Sequence, residues 1–188
     1  MVTYPIGVGR QGRETPLGST SIAAKRANPT WTPPPSIRAE RPELPATVPP
    51  GPENPLGLFA LNLGWNNYVI HGTNKPYGIG RRVSSGCIRL YPEDIERLFD
   101  TVKVGSPVMV VDQAVKLGWA GGELYIEAHP TVAEGDDLEE KGWYTPTSVP
   151  GLKERILEAA GIHATRIDWP AVARAEQAKR GIPVRITR

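Results

Sequence analysis

His71-Gly72-Thr73 and Ser85-Gly86-Cys87-Ile88-Arg89-Leu90 are the two stretches that decide the fold and the chemistry expected of this chain. Cys87 is the only cysteine, so it cannot form a disulfide within the chain, and a lone thiol makes a poor metal site. Near pH 7 only a few per cent of a free thiol is ionised, so a nucleophilic cysteine needs a base nearby. His71 ends the apolar run 68–70, which predicts a strand that delivers the imidazole to a loop.

Each of these residues also has an ordinary structural interpretation. A single cysteine is more often a small core residue than a nucleophile, and Arg89 alone would be taken for a surface or salt-bridge arginine. The combination favours catalysis, because a turn at Ser-Ser-Gly-Cys leaves backbone N–H groups that can hold an oxyanion. Beside a nucleophile, Arg89 can bind a substrate carboxylate through two parallel hydrogen bonds. The pattern therefore predicts a cysteine acyl-transfer enzyme.

These residues resemble the signature of the bacterial L,D-transpeptidases, the YkuD-type catalytic domain. The resemblance is strongest to the Gram-negative branch that crosslinks peptidoglycan or attaches lipoprotein to it. Residues 4–9 and 15–18 before the signature, and 92–95 and 105–108 after it, are also similar to segments of that family, so the resemblance covers about residues 3–130. It implies a mainly β fold: a β-sandwich of mixed sheets, with one capping helix after the cysteine and a small helical C-terminal extension.

The resemblance also implies roles for individual residues. Cys87 would be the nucleophile and His71 the general base and acid. The carbonyl of Gly72 would orient the imidazole, and the backbone N–H groups of Gly86 and Cys87 would bind the oxyanion. Ser85 stands where many members carry a second histidine, which implies that His71 is the base. The residues expected to contact the substrate are Arg89, Ser85, Arg82 and Thr73.

The implied reaction starts from a peptidoglycan stem tetrapeptide. The thiolate would attack the L-centre carbonyl of the third residue, meso-diaminopimelate, and release D-Ala, leaving a thioester. An amine from a second stem peptide or from a lipoprotein lysine would then resolve it. Two alternatives stay open: a hydrolase on the same scaffold (an L,D-carboxypeptidase or a lipoprotein-detaching amidase), and a non-catalytic wall-binding module. Neither a cofactor nor a metal is expected, because the thiolate supplies the nucleophile.

Length, composition and net charge limit which classes of protein and which partners are compatible with this sequence. A chain of 188 residues with 39% hydrophobic and 22% charged residues is globular, with a real core and room for a small appendage. A net charge of +2 argues against nucleic acid as a partner. No apolar run approaches the ~20 residues of a membrane-spanning helix, and the first residues lack the basic start and apolar core of a signal peptide. Since the resemblance implies the periplasm, the sequence is interpreted as a mature fragment without its signal or anchor and without an N-terminal strand.

The pattern predicts a catalytic domain over residues 1–130 and, over 131–188, a charged linker with a small helical extension packed on that domain. Ten prolines within residues 29–55 exclude helix and central strand there, so this segment is interpreted as an ordered irregular loop anchored by Trp31, Ile37 and Leu44. Pro92 predicts the start of a helix that Gly105 ends. Strands are predicted at 3–9, 21–25, 58–63, 68–71, 108–111 and 124–128, and two short helices at 151–161 and 170–181. The apolar strand at 108–111 is predicted to be buried.

Replacing Cys87 with serine is expected to remove nearly all acyl transfer, because the same histidine cannot activate an alcohol, whose pKa lies far above that of a thiol. Turnover of a stem tetrapeptide by the wild type and by Cys87→Ser, with matched circular dichroism spectra, measures this. Near-normal turnover by the serine variant would exclude Cys87 from the mechanism.

Overall fold

The computed structural model describes residues 2–188. The chain divides into two compact units, Met1–Val111 and Asp112–Arg188. This boundary differs from the one predicted near residue 130. The reason is that the strands between residues 115 and 128 pair with each other and with a strand close to the C-terminus, and so belong to the second unit.

Seven short strands build the first unit: β1 (Val8–Gly9), β2 (Gly18–Ala27), β3 (Phe59–Leu63), β4 (Val69–His71), β5 (Arg82–Ser84), β6 (Ile88–Arg89) and β7 (Pro107–Val110). The main sheet has the order β6-β4-β3-β2-β7, in which β4 and β6 are parallel and the other neighbours antiparallel. β1 and β5 pair in parallel as a second, two-stranded sheet. The predicted architecture of mixed sheets is confirmed.

One face of the main sheet is apolar and carries the core of this unit. Leu61, Ile70 and Ile88 lie directly opposite one another on β3, β4 and β6, and each is at most 8% exposed. Because side chains alternate between the two faces of a strand, the residues next to them in sequence point to the other face. His71 and Arg89 are such residues, so burial of the apolar face fixes which side of the sheet they occupy.

Helix α2 (Pro92–Thr101) covers the apolar face, as the predicted capping helix after Cys87. It begins at a proline in its first turn, where a missing N–H costs nothing, and it ends at Thr101, four residues before Gly105. Ile95 is fully buried in the core. Lys25 of β2 donates to the carbonyls of Phe99 and Val102, the latter at 2.8 Å, and so places a cation at the negative end of the helix.

The proline-rich segment, residues 29–55, is ordered and mostly irregular. The expectation that its prolines exclude helix was wrong, because α1 (Pro35–Glu40) begins on a proline and contains none after it. The buried side chain of Asn54 donates to the carbonyls of Pro29 (2.8 Å), Val48 (3.2 Å) and Pro49 (3.1 Å). One amide group thus ties the two ends of the segment together.

The second unit contains three strands and three helices: β8 (Val115–Ala120), β9 (Glu123–Ala128), α3 (Val132–Lys141), α4 (Leu152–Ala160), α5 (Trp169–Ala178) and β10 (Val184–Arg185). Gly121 and Gly122, both with positive φ, form the two-residue turn between β8 and β9. The predicted helices α4 and α5 are confirmed. Their apolar faces pack with β8 and β9 in a core of this unit.

Three further features differ from the sequence-based expectations. The strand predicted at 3–9 is reduced to β1. β7, predicted as buried, is the edge of the main sheet, and Met109 is 72% exposed. Helix α3 lies in the charged stretch for which no helix was predicted, although Thr131 and Glu134 form a capping box whose spacing is visible in the sequence.

A buried ion pair is expected to dominate the stability of the second unit. Lys179, fully buried, donates to both carboxylate oxygens of Glu134 at 2.6 Å. Burial raises the pKa of Glu134, but the hydrogen bonds from Lys179, Thr131 and Thr147 outweigh it and bring the value to about 2. The carboxylate is therefore ionised in the folded protein at neutral pH.

Replacing Glu134 with glutamine should leave the Lys179 ammonium buried without its counter-charge and lower the free energy of unfolding by about 3–5 kcal/mol. Urea unfolding at pH 7 measures this change. Glu140→Gln, an exposed position on the same helix, is the matched control and should change stability by less than about 0.5 kcal/mol. Equal stabilities of the two variants would show that the buried pair contributes nothing.

Candidate active site

Two rows of side chains cross the main sheet on the face opposite the core. The first, called the histidine row, consists of Arg89, His71, Ala60 and Arg26, which are direct register partners on β6, β4, β3 and β2. The second, called the cysteine row, lies two residues away along each strand. Val69, Asn62 and Ala24 are register partners there, and Cys87 stands level with Val69 because Ile88 pairs with Ile70. Strand register thus places the thiol, the imidazole and two guanidinium groups on one face.

This face forms the floor of a cavity of about 650 Å³. Its floor includes Cys87, His71, Arg89, Arg26 and Asn62, and its wall includes parts of the proline-rich segment. The lining residues of that segment are Thr30, Trp31, Thr32, Pro34, Ser36, Ile37 and Pro55. The predicted anchors Trp31 and Ile37 therefore face the site, and a concave space of this size can seat a peptide.

The imidazole of His71 is buried and neutral. His71 is 4% exposed, and its Nδ1 lies 2.5 Å from the carbonyl oxygen of Gly72. A carbonyl only accepts, so Nδ1 carries the hydrogen and Nε2 keeps its lone pair. Burial and the Arg89 cation lower the pKa of His71 to about 4, against smaller opposing effects of the carbonyls of Gly72 and Leu56. At neutral pH the ring is a proton acceptor through Nε2.

The thiol of Cys87 is half-buried and protonated at rest. Burial raises its pKa, while the backbone N–H of Val69 and the cation of Arg89 act in the opposite direction. The thiol donates to the carbonyl of Asn67 at 3.6 Å. Asn67 adopts a positive φ of 68° in the turn between β3 and β4. The resting thiol is therefore directed at this turn.

The turn before Cys87 depends on Gly86. Its φ is +104°, and a Cβ there would lie 2.8 Å from the ring of Tyr68. Ser84 accepts a hydrogen bond from the Gly86 N–H at 3.1 Å and donates to the Cys87 carbonyl at 2.6 Å. The Gly86 N–H, which was expected to bind an oxyanion, donates to the Ser84 hydroxyl in this arrangement. No acceptor lies within hydrogen-bond distance of the Cys87 N–H among residues 2–188.

The residues expected to contact the substrate fall into two groups. Arg89 and Ser85 line the cavity. The Arg89 Nε is buried and has no hydrogen-bond acceptor among the described residues. Such unpaired buried donors are rare in native proteins, and a functional role is one explanation for them. Arg82 and Thr73 are not part of the cavity lining. Thr73 is buried and its hydroxyl accepts from the Lys75 N–H at 2.9 Å, so it stabilises the loop after β4.

Sequence reasoning missed several residues of this site. Ser84 holds the turn before Cys87, and Thr15 donates to the Gly86 carbonyl at 2.9 Å. Arg26 and Asn62 enter the cavity floor from β2 and β3 and are joined by a hydrogen bond of 2.9 Å. The sequence shows that side chains alternate between the two faces of β2 and β3. It does not show which of them lie beside His71, because that depends on the register of these strands against β4.

The family profile of the L,D-transpeptidase catalytic domain, named YkuD, matches residues 1–110. The chain belongs to this family. As a YkuD-family protein it is similar to the "Probable L,D-transpeptidase ErfK/SrfK" of Escherichia coli K12, with 42% identity over 191 residues, covering 98% of this chain and 59% of that protein. It is also similar to the "Probable L,D-transpeptidase YbiS" of the same strain, with 41% identity over 176 residues, covering 85% and 57%. The chain therefore spans less than two thirds of these relatives.

Among solved structures, an L,D-transpeptidase from Mycobacterium smegmatis is similar to this YkuD-family chain, with a TM-score of 0.47 and 26% identity, covering 59% of this chain and 49% of that one. Within residues 2–188, no three metal-binding side chains gather closely enough to hold an ion. No helix in this described part is both long and apolar enough to cross a membrane.

The buried, neutral state of His71 predicts acid destabilisation. In the unfolded chain a histidine has a pKa near 6.5, so between pH 6.5 and about 4 the unfolded state binds more protons than the folded state. Stability should therefore fall as the pH is lowered through this window, by about 3 kcal/mol. Urea unfolding at pH 7 and pH 4 measures the change.

The variant His71→Gln lacks this titration and should lose less stability over the same pH interval than the wild type. His163→Gln replaces an exposed histidine and serves as the control for the loss of an imidazole elsewhere in the chain. If His71→Gln and the wild type lose stability in parallel, the imidazole is not held neutral by burial.

Proposed function

We propose that this chain is a cysteine-dependent L,D-transpeptidase of peptidoglycan. The observation that carries the proposal is the shared sheet face: His71 on β4, Arg89 on the parallel strand β6, and Cys87 directly before β6 line one cavity. A nucleophile, a base with a free lone pair and a cation for an anionic peptide are the groups that acyl transfer from an acidic stem requires.

His71 acts as the proton carrier. The Gly72 carbonyl holds Nδ1–H, so Nε2 faces the reaction with its lone pair available. Because the pKa of His71 is about 4, the ring is in its basic form throughout the neutral range. The neutral thiol turns from the Asn67 carbonyl toward Nε2 when the donor is bound, and transfers its proton as sulfur attacks.

The first half-reaction forms a thioester. Sulfur bonds to the L-centre carbonyl carbon of the third stem residue, meso-diaminopimelate, and the negative charge moves to the carbonyl oxygen. The N–H of Cys87, which has no acceptor at rest, stabilises this oxyanion, while Gly86 holds the turn. The bond to D-Ala then breaks, and its nitrogen takes the proton from His71 and leaves as the amine.

The second half-reaction returns the enzyme to its starting state. An amine attacks the thioester, the carbon–sulfur bond breaks, and His71 moves the amine proton to the sulfur. The acceptor is the side-chain amine of a second stem peptide or a lysine of a lipoprotein, and the chain works in the periplasm, where this substrate is found. Arg89 and Ser85, which line the cavity, position the donor stem. The chemistry uses neither a metal nor a cofactor.

The intact mass of the protein after incubation with a disaccharide-tetrapeptide containing meso-diaminopimelate tests this proposal. We expect an adduct equal to the substrate minus D-Ala, with release of free D-Ala. Cys87→Ala is the control and should give neither. Addition of an amine acceptor should then remove the adduct and produce a new amide.

Other results would assign other functions. A tripeptide product that forms equally with and without an amine would identify water as the acceptor and the chain as a hydrolase. Binding of the substrate with no adduct and no D-Ala, by a folded sample of both the wild type and Cys87→Ala, would overturn the proposal in favour of a wall-binding module.

A further inference from the structure

Of the arginines that line the cavity, Arg26 is the one to which neither the proposed chemistry at Cys87 nor the contacts of the cavity wall give a role. Three arginines line the cavity: Arg13, Arg26 and Arg89. Arg89 lies two residues after Cys87, at the end of β6, and the proposed function places it beside the donor stem. Arg13 is paired with the carboxylate of Glu40 at the end of α1. Arg26 stands on the far side of His71, with the small residue Ala60 between them in the histidine row.

The Arg26 guanidinium is oriented by a single neighbour. Its Nε donates to Oδ1 of Asn62 at 2.9 Å, and Asn62 belongs to the cysteine row on the next strand. A guanidinium has five N–H donors in a planar fork, so the four on Nη1 and Nη2 remain. None of these four has an acceptor among residues 2–188. A planar pair of free donors matches the geometry of a carboxylate.

The position of Arg26 fits the second substrate better than the first. Neighbouring strands are about 4.8 Å apart, so the backbone of Arg26 is about 10 Å from that of His71 and about 14 Å from the strand of Cys87. Its side chain leans toward Asn62 and so back over the cavity. An amine that attacks the thioester must place its N–H at His71, which is the side of the nucleophile that faces Arg26.

A transfer reaction also needs two separate anion sites. While the thioester exists, the donor stem remains attached beside Arg89. A second peptide with a free carboxylate would meet only the repulsion of the first unless another cation received it. We propose that Arg26, oriented by Asn62, binds the carboxylate next to the attacking amine and so selects acceptors that carry one. This inference rests on the proposed function and adds the acceptor class to it.

The test separates the two half-reactions. The first arm measures formation of the acyl-enzyme from the disaccharide-tetrapeptide by intact mass, in the wild type, Arg26→Gln and Arg26→Lys. We expect similar acylation rates in all three, since Arg26 is not assigned to the donor. The second arm adds glycine or glycinamide to the acyl-enzyme and follows its decay and the new product.

Arg26→Gln should slow decay by glycine about tenfold, because a charge-assisted bidentate contact is lost, and should leave decay by glycinamide within about twofold. Arg26→Lys keeps the positive charge but not the planar pair of donors, so its rate of decay with glycine should lie between those of the wild type and Arg26→Gln. The control is Arg97→Gln, an exposed arginine on α2 that covers the opposite face of the sheet, and it should behave as the wild type.

An unchanged glycine-to-glycinamide ratio in Arg26→Gln would overturn the acceptor site while leaving the transpeptidase proposal intact. A loss of acylation in Arg26→Gln equal to the loss of transfer would assign Arg26 to the donor and likewise overturn it. Failure of the wild type to form any acyl-enzyme appears in the first arm alone and would overturn the proposed function together with this inference.

Discussion

The parallel pairing of β4 with β6 is the constraint on which the rest of the site depends. A slip of one residue would send His71 into the core and bring Ile70 into the cavity, because side chains alternate along a strand. Two interactions oppose such a slip. The apolar face is buried under α2, and β6 is held on its other edge by Gly7, whose N–H and carbonyl pair with Arg89 at 2.9 and 2.8 Å. Gly7 fits there because a Cβ would lie 2.5 Å from the carbonyl oxygen of Gly78.

The proline-rich segment forms one wall of the cavity without regular pairing of its own. Prolines cannot donate backbone hydrogen bonds, so the carbonyls around them need donors from elsewhere. Asn54 supplies two N–H groups to three of these carbonyls, and Trp31 pairs with Val48 through both of their backbone groups. Fixed φ angles also reduce the entropy that the segment loses on folding. Such a wall can be irregular and still well defined.

Charge in the cavity is arranged around a neutral centre. His71 lies between Arg89 and Arg26 in one row, so a proton on the imidazole would be repelled from Arg89 while it also lacked solvent. In the proposed function, the same cations attract the anionic stem peptide. The resting thiol keeps its proton for the complementary reason, since burial opposes the thiolate more than Arg89 favours it. In the proposed reaction, the proton is therefore transferred after the substrate has bound and displaced the remaining water.

The sequence by itself determined the family resemblance and most strands of the first unit, and it identified Cys87 and His71 as the candidate nucleophile and base. These features depend on short stretches of sequence: a single cysteine, Cys87, after a glycine, His71 at the end of an apolar run, and Pro92 at the start of a helix. It also determined α4 and α5 through their spacing of apolar residues. The domain boundary, the edge position of β7 and the helix within the proline-rich segment did not follow from it.

Only the tertiary structure decided which distant side chains share the cavity with Cys87. Arg26 and Asn62 join it, Thr73 and Arg82 do not, and the Gly86 N–H is taken by Ser84. The physical reason is that strand register is a long-range property. Local sequence tells which residues alternate, but the pairing of β2, β3, β4 and β6, fixed by a shared buried face, determines which alternating residues meet.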